Sequence, residues 1–453
     1  MRLENIIIHN NKNINDFMIK VINKYYIFNI DSLTDSYFIN EFILLPLKSN
    51  KDILKLPNIN IKEIDIKIVN YYLYNGFVII VKKHKIYAIE CKLIPKGDTI
   101  SNEKSIKGSK ESFTDNILTN MGLMRKRIRS KDLKNKEILI GTSTHTKIYI
   151  CYMSNIVNKK LVSKVYKKLI NINIDSILNS SSLISSFKGT NSTFPSAIST
   201  ERPDNACFSV LEGKIVILVD NSKDVLIIPT FFMDLFHNPD DYYNKRSSVN
   251  FIRILRLISF FLAIFLPAYY ISITTFNIDS IPTKLLVDLM IQRSSVPFPS
   301  IVEALIMIIS FEILRESDLR MPSYMGSSVS ILGGLILGSA AVSAGIISPI
   351  MIIVIAISSI SGLIFTNLEL INAIRGYRLL LLILSSFLGI YGMFIGLMIL
   401  LIDLSKVFSF NKNYLFPLSP INYYELKDSF IKLKRNPLKR NPLLTKNIIR
   451  GAK

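Results

Sequence analysis

The sequence predicts a mixed fold: a bipartite cytoplasmic α/β region followed by an α-helical multi-pass membrane domain with four firm spans and up to six. Three observations lead there. Residues 1 to about 245 are polar and mixed, whereas 250 to 402 are dominated by long apolar runs. The overall 49% hydrophobic content and mean hydropathy of +0.34 conceal that split. The polar half mixes alternating and helical patterns, as α/β units do. A strongly basic segment follows the last apolar run, which marks a tail left on the cytoplasmic side.

Residues 1–100 read as a first α/β subdomain. NINDFMIKVI (13–22) looks helical, KYYIFNI a strand and SYFINEFILLPL a second helix. GFVIIVKKHKIYAIECKL alternates on both sides of a Lys-Lys-His-Lys turn, as a β-hairpin does. PKGDTISNEKSIKGSKES then has turn formers and no periodicity, so it reads as a linker or exposed loop.

A second subdomain with its linkers is expected over 101–245. EILIG and TKIYICYM are strand candidates, LVSKVYKKLINI has helical spacing, and KIVILVD and VLIIP make two short buried strands across a turn. The basic cluster MRKRIRSK (124–131) spreads its arginines around a helix, which argues for a solvated surface or a contact with another chain. No aromatic-interleaved motif accompanies it, so nucleic acid is not an expected partner. No charged n-region precedes a short apolar stretch at the N-terminus, which places this half in the cytoplasm.

Apolar segments from 246 to 403 are judged by length, because a span needs about 20 residues. FIRILRLISFFLAIFLPAYYISI (251–273) qualifies, with Arg253 and Arg256 placed to snorkel to headgroups. Residues 326–345, 346–365 and 379–402 also qualify, the last as the clearest of all. Four spans put both termini on one side. Residues 404–453 form the basic tail, where eleven Lys/Arg face only Glu425 and Asp428, a net +9.

Nothing in the chain suggests catalysis. Cys91, Cys151 and Cys207 are far apart, the four histidines are scattered, and no nucleophile–base pair or phosphate-binding glycine loop is present. No enzyme activity, metal or cofactor is expected. VPFPSIVEALIMIISFEILRESDLRMP (296–322) carries Glu303 and Glu312 inside an apolar run, and a helix puts them on opposite faces. Glu312 reads as an interfacial salt bridge to Arg315, itself an interfacial anchor. Glu303 would cost about 2.5–3.5 kcal/mol in lipid, so it should face protein or a water-filled path. Small residues recur from Gly334 through Gly338 and Ala341 to Gly345. That face either packs closely against another helix or lines a pore in which Val342 forms a narrow apolar gate.

Many separate blocks occur together in order: IKGSKESFTDNILTNMGLMRKRIRS, STERPDNACFSVLEGKIVILVD, NPDDYY, LPAYYISITTF, the 296–322 segment, GSAAVSAGIISP and ELINAIRGYRLLLL. Through them the chain resembles the A subunit of GerA-type spore germinant receptors over nearly its whole length. The resemblance implies an integral protein of the spore inner membrane with cytoplasmic N-terminal region and tail. It implies work with a transporter-like B subunit and a C-type lipoprotein, and assembly with copies of itself, as a suspected pentamer in membrane lipid, into a nutrient-gated cation channel that triggers germination. Carried onto this chain, the pore candidates are Gly334, Gly338, Ala341, Val342 and Gly345, with Glu303 nearby. Two rival readings are a carrier, with broken helices over 297–366 around a substrate, and a non-conducting membrane scaffold.

Overall fold

The computed structural model of the chain describes residues 3–421 except 24, 50–59, 100–102, 104–106, 188–192, 321–333, 335, 337 and 411. Residues 422–453, most of the expected tail, lie outside it.

The first sheet is antiparallel, with strands β1 (Phe17–Ile22), β2 (Tyr25–Ile30), β3 (Ile61–Glu63), β4 (Phe77–Lys82) and β5 (Lys85–Glu90) in the order β1-β2-β4-β5-β3. Alternation divides it into two buried faces. Phe28, Ile30, Ile79 and Val81 pack under helix α1 (Leu3–Asn10), while Ile27, Val78 and Ile80 pack under Ile39, Ile43 and Leu47. The expected hairpin is present as β4–β5, turning at Lys83 with φ 54°. The expected helix over 13–22 is instead strand β1. Its run of β-branched and aromatic residues pairs residue for residue with β2, so tertiary pairing overrides an ambiguous local pattern.

The expected loop after this sheet contains a two-residue ribbon, β6 (Asp98–Thr99) against β7 (Glu111–Ser112). The second sheet is built from β8 (Leu133–Ile140), β9 (Thr146–Met153), β10 (Ile198–Thr200), β11 (Ile215–Val219) and β12 (Val225–Ile228), in the order β10-β12-β11-β9-β8. Helices α2 (Ile117–Arg127) and α4 (Pro203–Glu212) cover one face, and α3 (Lys159–Ile170) covers the other. Asn116 caps α2 by accepting from the amides of Leu118 and Thr119. Helix α4 ends at Gly213, whose φ of 96° is a left-handed cap that a side chain would strain.

The sheets are joined by one fully buried ion pair. Arg125 of α2 donates from Nε and Nη2 to Asp16 at 2.7 and 2.6 Å, and Ser32 donates to the same carboxylate at 2.6 Å. Burial alone would raise the Asp16 carboxyl, but the Arg125 charge and these hydrogen bonds hold it below its ordinary 3.8. The basic cluster is thus not simply a solvated face. Arg125 reaches into the interior, while Arg127 pairs with Glu111 at 2.8 Å.

Beyond residue 245 the chain is helical: α5 (Arg246–Phe276), α6 (Thr283–Ser294), α7 (Ser300–Arg320), α8 (Pro349–Gly362) and α9 (Leu368–Lys406). Both α5 and α9 contain stretches long and apolar enough to cross a membrane, with mean hydropathies of 2.1 and 2.2. The expected span 251–273 lies within α5. The expected span 379–402 is not one straight helix. Gly389, at φ 59° and ψ −136°, breaks α9 into two arms. Tyr377 on the first arm donates to Asp403 on the second at 2.6 Å, which only a hairpin allows. Gly392 and Gly396 lie against Leu384 and Leu381, so the small residues of this segment serve the close approach of the arms. The expected span 346–365 holds the 14-residue helix α8. Of 326–345, residues 326–333 lie outside the description, while 334, 336 and 338–343 are helical.

The contacts fix the path. Phe276, at the end of α5, borders Gly389 at the hairpin tip. Helix α7 begins beside the Gly345 turn, because Ser348 bonds Glu303, and it runs about 30 Å to Arg320. Phe365, after α8, meets Phe236 and Phe260 beside the second sheet. The chain packs α5, α7, α8 and both arms of α9 together as one helical layer. It then comes back to the second sheet. There Ser409 donates to the Ser196 carbonyl at 2.9 Å and the Phe232 amide donates to the Tyr414 carbonyl at 2.9 Å.

Candidate functional site

Glu303 lies in the first turn of α7, with no exposed surface. Its Oε2 accepts from the Ser348 amide at 3.0 Å and from the Ser348 hydroxyl at 2.8 Å. Ser348 is the residue before α8, so the carboxylate sits where unpaired amides and the helix dipole favour negative charge. Arg293 of α6 approaches Oε1 to 3.9 Å, an ion pair without a hydrogen bond. The sequence leaves Glu303 a choice between protein and a water path, and the structure places it against protein. Ser348 was not singled out by sequence reasoning. The Ser-Pro pair opening an apolar run was the available signal, since serine before a helical Pro is an N-cap pattern.

Glu312 faces a different element from the one expected. Its oxygens pair with Arg378 at 3.0 Å and Arg375 at 3.1 Å, both on the first arm of α9. Arg315, the expected partner, has no ion pair within 4 Å among the described residues. The correction follows from packing: α7 lies beside α9, and two arginines on a neighbouring helix are better placed than one on the same helix. Arg378 also donates to Ser359 of α8 at 3.3 Å, so three helices meet here.

Arg253 and Arg256 likewise turn to protein in place of the expected headgroups. Arg256 grips Asp241 through Nη1 at 2.7 Å and Nη2 at 3.0 Å and donates to the Phe236 carbonyl at 2.9 Å. Arg253 meets the same carboxylate at 3.4 Å. The adjacent Asp240 accepts from buried Arg202 at 2.9 Å, which also pairs with Asp204 at 2.8 Å. Tyr243 donates to Asp204 at 3.0 Å. A continuous line of buried charges thus runs from α4 of the second sheet to the start of α5. Burial would raise the Asp204 and Asp241 carboxyls, but their arginines hold both below the usual carboxylate range.

Beside this line lies a cleft of about 140 Å³ whose walls include Glu103, Lys214, Asp234, His237, Asn367 and Phe416. It brings together the second sheet, the approach to α5, the α8–α9 connection and the returning C-terminal segment. Lys214 pairs with Asp234 at 2.7 Å, and Thr200 donates to Glu103 at 2.7 Å. Burial of its carboxyl pushes Glu103 up to about 7.

The candidate pore residues lie on the segment that ends at the Glu303–Ser348 contact. A Cβ added at Gly334 or Gly338 would meet nothing within 4 Å among the described residues. Gly345 turns the chain at φ 65°, close to the Ser295 carbonyl. Ala341 packs partly against the cluster of Ile271, Ala304 and Met307, and Val342 is half-buried. No group of His, Cys, Asp or Glu with metal-binding geometry occurs among the described residues.

Known proteins similar to this chain fall into one group. The sequence profile of the Bacillus/Clostridium GerA spore germination protein family matches residues 3–444. Spore germination protein KA of Bacillus subtilis (strain 168) is 37% identical over 74% of this chain and 61% of its own length. Uncharacterized membrane protein YfkQ of the same organism is 38% identical over 75% of this chain and 66% of its own length. Spore germination protein XA of Bacillus anthracis is 33% identical over 83% of this chain and 77% of its own length. The chain therefore spans less than two thirds of the first two of these relatives.

Proposed function

The chain belongs to the GerA spore germination protein family, and from that premise we propose that it is the A-type subunit of a germinant receptor in the spore inner membrane. In this reading copies of the chain assemble around a pore lined by Gly334, Gly338, Ala341 and Val342. Nutrient binding on a transporter-like B subunit opens the pore to cations, and a C-type lipoprotein completes the receptor. The ion flow commits the spore to germinate.

One observation carries the reading furthest. Among the described residues nothing stands within 4 Å of a Cβ added at Gly334 or Gly338, whereas the other small-residue run, at Gly392 and Gly396, is already consumed inside the α9 hairpin. An open small face within an apolar layer suits close approach of further copies around an axis. The return of Ser409 and Tyr414 to the second sheet supports the topology, because α5 departs from that same region. The line from Arg202 to Arg256 supports transmission, because it ties the soluble region to the first helix.

The carrier reading draws on a separate observation. A carboxylate sits at the N-terminus of α8, as in broken-helix transport sites. Planar-bilayer recording of the purified receptor with its B and C partners separates the two. Nutrient-dependent conductance supports the pore, while saturable, stoichiometric uptake without conductance supports the carrier.

A further inference from the structure

The cluster around Glu312 carries more positive than negative charge, and it sits at a defined depth. Arg375 and Arg378 share the one Glu312 carboxylate, and each retains a buried Nε with no hydrogen-bond partner. Arg315 lies one turn from Glu312 on α7 and within electrostatic reach of Arg375. Glu316, the next acid along, is engaged by Arg320 at 2.7 Å. Arg315, Arg375 and Arg378 therefore surround the one Glu312 carboxylate, while Glu316 and Asp318 lie further along α7 with Arg320.

The depth follows from Tyr377, which lies between the two arginines in sequence. It bonds Asp403, and Asp403 accepts from Thr193 of the second subdomain at 3.3 Å. Tyr377 also stacks on Phe194 at 5.5 Å between centroids. The cluster is thus level with the plane where the soluble region meets the helical layer. With that layer in a bilayer, this is the headgroup level of the leaflet on the soluble-domain side. Uncompensated guanidinium charge is costly in hydrocarbon, and a phosphate matches its planar fork.

We propose that Arg315, Arg375 and Arg378 form a binding site for the headgroup phosphate of an anionic phospholipid in that leaflet, the phosphate supplying the missing counter-charge between α7 and α9. Basic pockets between membrane helices on the cytoplasmic side bind such headgroups. The site rests on the membrane reading given above. It goes beyond that reading by assigning a lipid class and the residues that select it. Arg378 is the buried anchor held by Glu312 and Ser359, while Arg315 and Arg375 are half-buried.

The test is native mass spectrometry of the purified receptor complex in detergent, titrated with phosphatidylglycerol, phosphatidylcholine or inorganic phosphate. The wild type should retain phosphatidylglycerol in preference to phosphatidylcholine. Arg315→Gln and Arg375→Gln should each weaken retention about fivefold, and together about 25-fold, at about fivefold per cation. Arg375→Lys should restore part of it, and melting temperature should move little in Arg315→Gln, which breaks no ion pair among the described residues. Equal retention of both lipids, or retention unchanged in the double variant, overturns the site. Full displacement of lipid by equimolar inorganic phosphate overturns the lipid assignment. Vesicle flotation separates the two levels: a protein that fails to float sinks the membrane reading, whereas one that floats but retains lipid without preference sinks only this site.

Discussion

Tyr377 and Asp403 are 26 positions apart in sequence and 2.6 Å apart in space. A straight helix would hold them about 39 Å apart. The most apolar segment of the chain is therefore two helical arms folded back on each other at Gly389.

A crosslink tests the hairpin. Leu381→Cys paired with Gly396→Cys should form a disulfide on mild oxidation, since these residues are in contact across the arms. An unbroken helix would keep them about 22 Å apart and give none. Gly389→Ala should destabilise the fold by about 1–3 kcal/mol, because it forces a side chain into a glycine-only conformation against Phe276. Detergent-solubilised melting temperature reads that loss.

Glu303 and Ser348 give a prediction that separates structure from permeation. The carboxylate is fully buried and bonded to Ser348 at the start of α8. Ser348→Ala should cost about 1.5–3 kcal/mol, the range for a hydrogen bond to a charged group. Glu303→Gln should leave the cation-to-anion permeability ratio of the open receptor unchanged. A ratio that collapses in Glu303→Gln would put this carboxylate in the ion path.

Asp16→Ala should destabilise the chain by about 3–5 kcal/mol, because it leaves Arg125 buried without its partner. The pH dependence has a definite sign. Asp16, Asp204 and Asp241 are all held below their ordinary 3.8 in the folded chain. Their contribution is therefore complete above about pH 4 and is lost as pH falls further through the folded values. Acid titration followed by circular dichroism should show a transition below pH 4 that shifts when Asp16 is replaced.

The Arg202–Asp240 and Asp241–Arg256 pairs predict a coupled joint. Asp241→Asn leaves two arginines sharing a neutral group and should weaken the tie between the second sheet and α5. Calorimetry of the wild type should give one merged transition for the soluble and helical regions, and Asp241→Asn should split it. A single unchanged transition would show that the joint carries no coupling.

Periodicity made the regular parts legible. The β4–β5 hairpin stands where alternation placed it, and β9, β11 and β12 stand where short apolar runs placed them, because both sides of these strands meet a core. Strand β1 was misread, since FMIKVI fits a helix as well as a strand until β2 is present to pair with it. The α9 hairpin was hidden because a glycine turn inside an apolar run leaves hydropathy unchanged. Glu303 stood out as an anomalous charge, but its partner Ser348 is 45 residues away, and no local pattern links them. Arg253 and Arg256 were visible as basic residues at the start of a span. Asp241, which turns them from lipid to protein, was quoted in NPDDYY without a role.

The central claim is that this chain lines a nutrient-gated pore narrowed at Val342. The direct measurement is conductance across a bilayer containing the purified receptor complex, with and without Val342→Ala, before and after nutrient is added. The wild type should be silent without nutrient and conduct cations with it, and Val342→Ala should leak without nutrient. A complex that binds nutrient yet never conducts, with Val342→Ala as silent as the wild type, would contradict the account.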